Sequence, residues 1–169
     1  MNSSTHISQQ YDNELEGLRS KVLSMGGLVE GHLSKVIETL SSCDFEGAEE
    51  VASSDYKVNA LEVEIDRICS TILLTRAPAA SDLRLVLSIF KTINDLERIG
   101  DETEKIAKLV LNLRKPEAIN IYYAGILTMA KTVRAMLRDS LDAFARTDSK
   151  AALKIAESDK EVDDGLDVV

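Results

Sequence analysis

Three acidic residues in this sequence have a spacing that could bind a metal ion. Glu97, Asp101 and Glu104 follow one another at intervals of four and three residues, so on a helix their carboxylates lie on one face. Carboxylate oxygens at this spacing are suitable ligands for a hard or borderline divalent cation. We therefore predict a metal site at Glu97 and Asp101, with Glu104 as a candidate third ligand.

A solvated acidic face is the alternative interpretation of the same residues. In a chain this acidic, roughly five acidic pairs at four-residue spacing are expected from composition alone. Asp101 and Glu104 each have a lysine or arginine within helical reach, whereas the sequence places none three or four residues from Glu97. A carboxylate beside an apolar seam costs free energy unless a cation or a basic partner compensates it, so Glu97 is the stronger candidate ligand.

A metal-dependent carboxylate-bundle enzyme is the competing functional class. A di-iron bundle of that kind uses Glu-x-x-His motifs, and neither His6 nor His32 has a glutamate three residues before it. The sequence also has no glycine-rich phosphate loop and no Ser/His/Asp or Cys/His grouping that position alone supports. The absence of these catalytic motifs favours a binding or regulatory protein, and a metal-dependent enzyme is the alternative hypothesis.

The acidic residues belong to a long predicted helix from Ser81 to Arg114, which contains no proline and one glycine. At 1.5 Å per residue it is roughly 50 Å long. Its apolar stripe consists of three seven-residue rows: Val86, Ile93, Gly100 and Ala107; Ile89, Leu96, Thr103 and Val110; Leu85, Ile99, Ile106 and Leu113. Glu97 and Glu104 continue a bordering row of Leu83, Phe90 and Leu111, and the opposite face alternates Arg84, Lys91, Arg98 and Lys105 with Asp95 and Glu102.

Composition narrows the functional classes further. The 169 residues carry a net charge of −9, with no tryptophan, two prolines and no alternating strand pattern. This charge argues against nucleic-acid binding and against direct docking on anionic lipid. No apolar run has the length of a signal peptide core or a membrane span. Cys43 and Cys69 form no CxxC pair, and Cys69 is predicted to be a small buried apolar residue. We expect a cytoplasmic protein.

The chain is predicted to form five helices and to repeat itself. Their ranges are about 8–42, 44–75, 81–114 and 116–146, with a fifth beginning at Asp148. A shift of 104 residues aligns the first helix with the fourth. Continuing the shift pairs Asp44, Ala48, Val51, Ala52, Ser54, Asp55 and Val58 with Asp148, Ala152, Ile155, Ala156, Ser158, Asp159 and Val162, and six of these seven pairs are identical.

The repeat predicts an all-α protein of two tandem three-helix bundles, the second incomplete. Residues 1–115 form the first bundle, and residues 116–169 form part of the second. We expect a truncated chain, because the third helix of the second copy would follow residue 169 and the sequence ends on two apolar residues. Ile126, Leu137 and Ile155 should then be covered by another chain or by swapped helices, or else remain mobile.

Six segments of the sequence match the pattern of a known family: residues 78–84, 91–93 and 96–101, together with residues 5–8, 23–30 and 58–62. They resemble the PhoU family of regulators of bacterial phosphate uptake and phosphate-starvation signalling. The resemblance covers essentially the whole chain. It implies a fold of two tandem three-helix bundles with the signature E/D-x-x-x-D on the third helix of each repeat. Glu97 and Asp101 match the first copy of this signature, which is associated with bound metal ions in several members.

The resemblance also implies a function and partners. The family acts without catalysis, as an adaptor between the ATPase subunit of the phosphate transporter and the sensor histidine kinase of the phosphate regulon. It lowers expression of that regulon. A homodimer is expected, with no nucleic acid and no membrane insertion. No cofactor is required, although a divalent or iron-group metal ion at the acidic motif is expected to bind.

Overall fold

The computed structural model describes residues 3–42, 44–112 and 123–166, and every regular element among them is a helix. These helices are α1 (Ser3–Ser42), α2 (Phe45–Ser54), α3 (Tyr56–Arg76), α4 (Ala80–Asn112), α5 (Tyr123–Arg146) and α6 (Ser149–Leu166). The all-α prediction is confirmed. No described helix is both long and apolar enough to cross a lipid bilayer.

The helix predicted over residues 44–75 is in fact two helices. Helix α2 ends at Ser54, Asp55 forms a turn, and α3 begins at Tyr56. Ser54 and Asp55 are buried, at 7% and 8% exposure, and Ser54 Oγ donates a hydrogen bond to the carbonyl of Val51 at 3.2 Å. The interruption therefore lies at a buried polar pair, and Asp55 itself keeps right-handed helical angles of φ −58° and ψ −31°.

Contacts divide the chain into two compact units. The first contains residues 1–29 and 56–99, of which residues 3–29 and 56–99 are described. Two ion pairs join α1 to α3 in this unit. Arg76 donates to both oxygens of Glu14, at 2.9 Å from Nε and 2.5 Å from Nη2, and Lys21 Nζ lies 2.8 Å from Glu64 Oε1. Its buried apolar residues are Leu18, Val22, Met25, Val29, Val58, Ile65, Cys69, Ile72, Val86, Ile89, Ile93 and Leu96.

The second unit lies within residues 30–55 and 100–169, of which residues 30–42, 44–55, 100–112 and 123–166 are described. Its described core includes Val36 of α1, Val51 of α2 and Ala107 of α4, which pack together with Ala52 and Ile106 against them. These contacts place the C-terminal half of α1, all of α2 and the C-terminal part of α4 around one apolar cluster. The predicted helix end at Arg114 and the predicted boundary between residues 115 and 116 lie outside the described residues, and the domain boundary stays a prediction.

The turn between α5 and α6 follows from local hydrogen bonding. Thr147 has a left-handed φ of 53°, and the amide of Asp148 donates to the carbonyl of Ala143 at 2.8 Å, as in a Schellman C-cap. Asp148 Oδ1 then accepts from the amides of Lys150 and Ala151 at 3.1 and 3.0 Å, which caps α6. Helix α6, which is the fifth helix of the sequence prediction, therefore begins next to Asp148, as predicted.

The apolar face of α5 is only partly exposed. Ile126 and Val133 are each 38% exposed, but Leu137 is only 8% exposed. The expectation that Leu137 depends on another chain for its burial is therefore wrong, since the chain buries this residue itself. Ile155 is half-buried.

Candidate functional site

The faces of α4 have the distribution that the seven-residue rows predict. The first two rows are buried, with Val86, Ile89, Ile93, Leu96, Gly100, Thr103, Ala107 and Val110 all in the buried class. The opposite face is exposed at Arg84, Lys91, Asp95, Arg98, Glu102 and Lys105. Because one side of α4 is core and the other is solvent, the intervening edge is the part of this helix whose residue types need a chemical explanation.

The acidic edge lies at the boundary between core and solvent. Glu97, Asp101 and Glu104 are all half-buried. Leu83 and Leu111, in the same seven-residue row, are each 37% exposed. The row is thus the margin of the apolar stripe rather than part of its interior. Partial burial lets these carboxylates keep some hydration while it strengthens their interaction with any nearby charge.

Basic residues of α4 already interact with part of the acidic edge. Glu104 Oε2 accepts from Lys108 Nζ at 2.6 Å. The hydrogen bond from Lys105 Nζ to Glu102, at 2.7 Å, is the main reason that the pKa of Lys105 is raised, and the charges of Asp101 and Glu104 add to the effect.

A metal ion would find only part of its ligand set among the described residues. No three histidine, cysteine, aspartate or glutamate side chains of residues 3–42, 44–112 and 123–166 come together in a way that could hold a metal. Glu97 and Asp101 are one helical turn apart on α4, which suits two carboxylate ligands of a hard cation. Glu104 is paired with Lys108 and is the weakest of the three predicted ligands. Glu97 also interacts within the protein. A cation held here would need water or further ligands to complete its coordination.

Sequence reasoning missed a polar contact between α1 and α2. His32 Nε2 lies 3.0 Å from Ser54 Oγ, and Ser54 is 7% exposed. The Ser54 hydroxyl also donates to the Val51 carbonyl at 3.2 Å, and Ser54 is buried, so it is not arranged as an activated nucleophile. A sequence signal existed, since Ser54 and Asp55 recur as Ser158 and Asp159 in the second copy.

The described cysteine is an inert core residue. Cys69 is fully buried, and burial is the main cause that raises the pKa of its thiol to about 11, with a contribution from Asp66. A thiol with this pKa is almost fully protonated at neutral pH and is a poor nucleophile. Cys43 lies outside the described residues.

The helical architecture places the chain in a known class of all-helical proteins. The PhoU domain family model matches residues 22–110 and 126–167, two segments that begin at the same offset as the internal repeat. The chain belongs to the PhoU family.

Individual relatives agree with this assignment. The chain is 46% identical over 158 residues to a phosphate-specific transport system accessory protein PhoU homolog from Pseudomonas putida, covering 94% of this chain and 62% of that protein. The crystal structure of PhoU from Pseudomonas aeruginosa matches with a TM-score of 0.90 at 40% identity, over 94% of this chain and 76% of that one. A phosphate transport system regulatory protein PhoU from Streptococcus pneumoniae matches with a TM-score of 0.85 at 35% identity, over 92% of this chain and 72% of that one.

Proposed function

We propose that this protein is a non-enzymatic regulator of phosphate uptake and of phosphate-starvation signalling. The observation that carries the proposal is the family match, which covers both copies of the internal repeat. The matched relatives are named as accessory or regulatory proteins of phosphate transport. The protein acts by binding other proteins, as a cytoplasmic adaptor between the ATPase subunit of the phosphate transporter and the phosphate-sensing histidine kinase. It lowers phosphate-regulon expression when phosphate is plentiful, and it works as a homodimer.

The metal site is part of the same proposal. Glu97 and Asp101 share a divalent or iron-group cation, with Glu104 contributing only if it leaves Lys108. The cation would neutralise like charges one turn apart on α4 and so stabilise the folded chain. No step of the adaptor function is routed through it, and no cofactor is required.

The enzyme alternative finds less support in the arrangement of side chains. The serine and histidine in contact are arranged for structural hydrogen bonding, and Ser54 is buried. On α4 the carboxylate of Glu104 is paired with Lys108, and a surface of mixed charge of this kind is suited to binding other proteins. The enzyme alternative would be favoured if the protein turned over a substrate with a redox-active metal and if Glu97→Gln abolished this turnover without unfolding the protein.

The test is co-purification from cytosol of phosphate-rich and phosphate-starved cells. Tagged protein should retain the transporter ATPase subunit and the sensor kinase, and the amounts retained should change with the phosphate supply. A tagged, unrelated helical bundle of similar charge is the control. Retention of neither protein under either condition would contradict the adaptor function.

A further inference from the structure

The two copies of the repeat differ sharply in charge on one outward helix face. Aligning α5 with α1 by the shift of 104 residues pairs the apolar residues Ile126, Met129, Val133 and Leu137 with Val22, Met25, Val29 and Leu33. The same alignment pairs Lys131, Arg134 and Arg138 with Gly27, Glu30 and Ser34. The apolar positions are thus kept, while three outward positions gain positive charge in a protein whose net charge is −9.

The three cations form one stripe, which we call the basic face of α5. Lys131, Arg134 and Arg138 are spaced by three and four residues, so they lie on the same side of the helix. Lys131 and Arg138 are exposed and Arg134 is half-buried, with the exposed Ala135 on the same side. A small residue between long side chains lets a partner approach the helix closely.

No carboxylate among the described residues forms a salt bridge with the basic face. Other basic side chains do have such partners, for example Lys21, Lys35, Arg76, Lys105, Lys108 and Arg146. Asp142 is four residues after Arg138, yet it pairs with Arg146 instead, at 3.7 Å. Like charges three and four residues apart on a helix disfavour each other. The basic face therefore carries a local electrostatic cost that an anionic partner would remove.

We infer that the basic face of α5 binds an acidic surface of a protein partner of the proposed adaptor. The inference rests on the proposed function and adds the location and chemistry of one contact. Arginine guanidinium groups pair with carboxylates through two parallel hydrogen bonds, which suits a protein partner with exposed aspartate and glutamate. Nucleic acid and anionic lipid are less suitable, since three cations in a chain of net charge −9 fall short of the basic clusters that bind them.

The experiment measures binding of two probes, the transporter ATPase subunit and the cytoplasmic part of the sensor kinase. The test variant is Lys131→Gln, Arg134→Gln and Arg138→Gln together. The matched control is Arg84→Gln, Lys91→Gln and Arg98→Gln, which removes three exposed cations from one side of α4. Titrations at low and at physiological salt report the affinity, and stopped-flow mixing reports the association rate.

We expect the α5 variant to bind at least one probe about tenfold more weakly than the wild type, mainly through slower association and a flatter salt dependence. The α4 control should bind within about twofold of the wild type. The charge-conserving variant with Lys131→Arg, Arg134→Lys and Arg138→Lys should bind more tightly than the glutamine variant but less tightly than the wild type, because lysine keeps the charge and loses the bidentate pairing. The α5 variant should melt no lower than the wild type, because like-charge repulsion is relieved.

Four outcomes would overturn the inference. Equal binding by the wild type and the α5 variant would refute the surface while leaving the adaptor function standing. Equal weakening by the α4 control would show that only total charge matters. Binding to vesicles of phosphatidylglycerol and phosphatidylethanolamine, lost in the α5 variant while binding to both proteins persists, would assign the face to a membrane. If neither protein binds the wild type, the proposed function fails and the inference falls with it.

Discussion

Replacing Gly47 by alanine should destabilise the protein, although alanine is normally the better helix former. A Cβ at this position would lie 2.6 Å from Asp44 Oδ2 and 2.9 Å from Thr39 Cγ2. Asp44 cannot easily move away, because its Oδ1 accepts from the Gly47 amide at 3.1 Å and caps α2. Thr39 is 1% exposed, and its hydroxyl donates to the Val36 carbonyl at 2.8 Å.

The second copy of the repeat shows how the same cap accommodates alanine. Ala151 stands where the first copy has Gly47, and its amide donates to Asp148 Oδ1 at 3.0 Å. Ala143 stands where the first copy has Thr39 and is 3% exposed. Gly47 and Thr39 in the first copy thus correspond to Ala151 and Ala143 in the second. A larger side chain at one of the two positions goes with a smaller one at the other, as expected if the two side chains share a limited volume.

The magnitude follows from opposing effects. Alanine gains about 1 kcal/mol of helix propensity over glycine. Disturbing the N-cap costs about 1 kcal/mol, and overpacking costs about 1–3 kcal/mol. Gly47→Ala should therefore lower the free energy of unfolding by about 1–3 kcal/mol, or the melting temperature by about 2–12 °C in a chain of this size. In the Thr39→Ala background the same change should cost about 1 kcal/mol less.

The assay is a double-mutant cycle by urea unfolding on the wild type, both single variants and the double variant. Gly31→Ala on α1 is the control, because nothing lies within 4 Å of a Cβ added there. It should stabilise the protein by about 0.5–1 kcal/mol. Stabilisation by Gly47→Ala, or effects that add to within about 0.4 kcal/mol in the double variant, would refute the reasoning.

Three further predictions concern charge and the metal. In thermal unfolding with Mg²⁺, Mn²⁺, Zn²⁺ or iron, at least one ion should stabilise the protein, by about 2.7 kcal/mol at a hundredfold excess over its dissociation constant. Glu97→Gln or Asp101→Asn should remove this stabilisation. If no ion shifts the melting temperature, the acidic pair is only a solvated face. Because burial raises the pKa of Cys69 from 9.0 to about 11, the unfolded thiol ionises first, and the free energy of unfolding should fall by up to about 1.4 kcal/mol per pH unit between these values. Cys69→Ala should flatten that part of the pH profile, and an unchanged slope would contradict the assignment. The hydrogen bonds from Arg76 lower the pKa of Glu14, so the stability from this pair is present above the ordinary glutamate pKa and lost as the pH falls through the lowered one. Glu14→Gln should cost about 1 kcal/mol at pH 7 and little at acid pH, and an equal cost at both would contradict it.

The long helix α4 could be predicted from the sequence in detail. The first two seven-residue rows identify the buried side correctly, including Thr103, which is 2% exposed although it is polar. The third row is half-buried at Leu85, Ile99 and Ile106. The prediction succeeds because helical periodicity over more than thirty residues leaves little freedom in which side faces the core. The same periodicity identified the acidic edge, but it could not say how deeply Glu97 and Asp101 are buried.

The interruption at Asp55 could not be predicted in the same way. It coincides with burial of Ser54 and Asp55 and with a contact between Ser54 and His32, which is 22 residues away in sequence. Local residue preferences do not reveal that contact, and no proline or glycine lies between Ala48 and Arg76. The basic face of α5 was visible in the sequence but became meaningful only with the exposure of Lys131 and Arg138 and the positions of nearby carboxylates.

Expression of a phosphate-regulon reporter, in cells that lack their own PhoU-family protein, shows whether this protein regulates the response to phosphate. We expect that this protein, produced at a normal level, lowers reporter expression in phosphate-rich medium and has little effect under starvation. A folded protein that accumulates normally and leaves the reporter unchanged at both phosphate levels would contradict the claim.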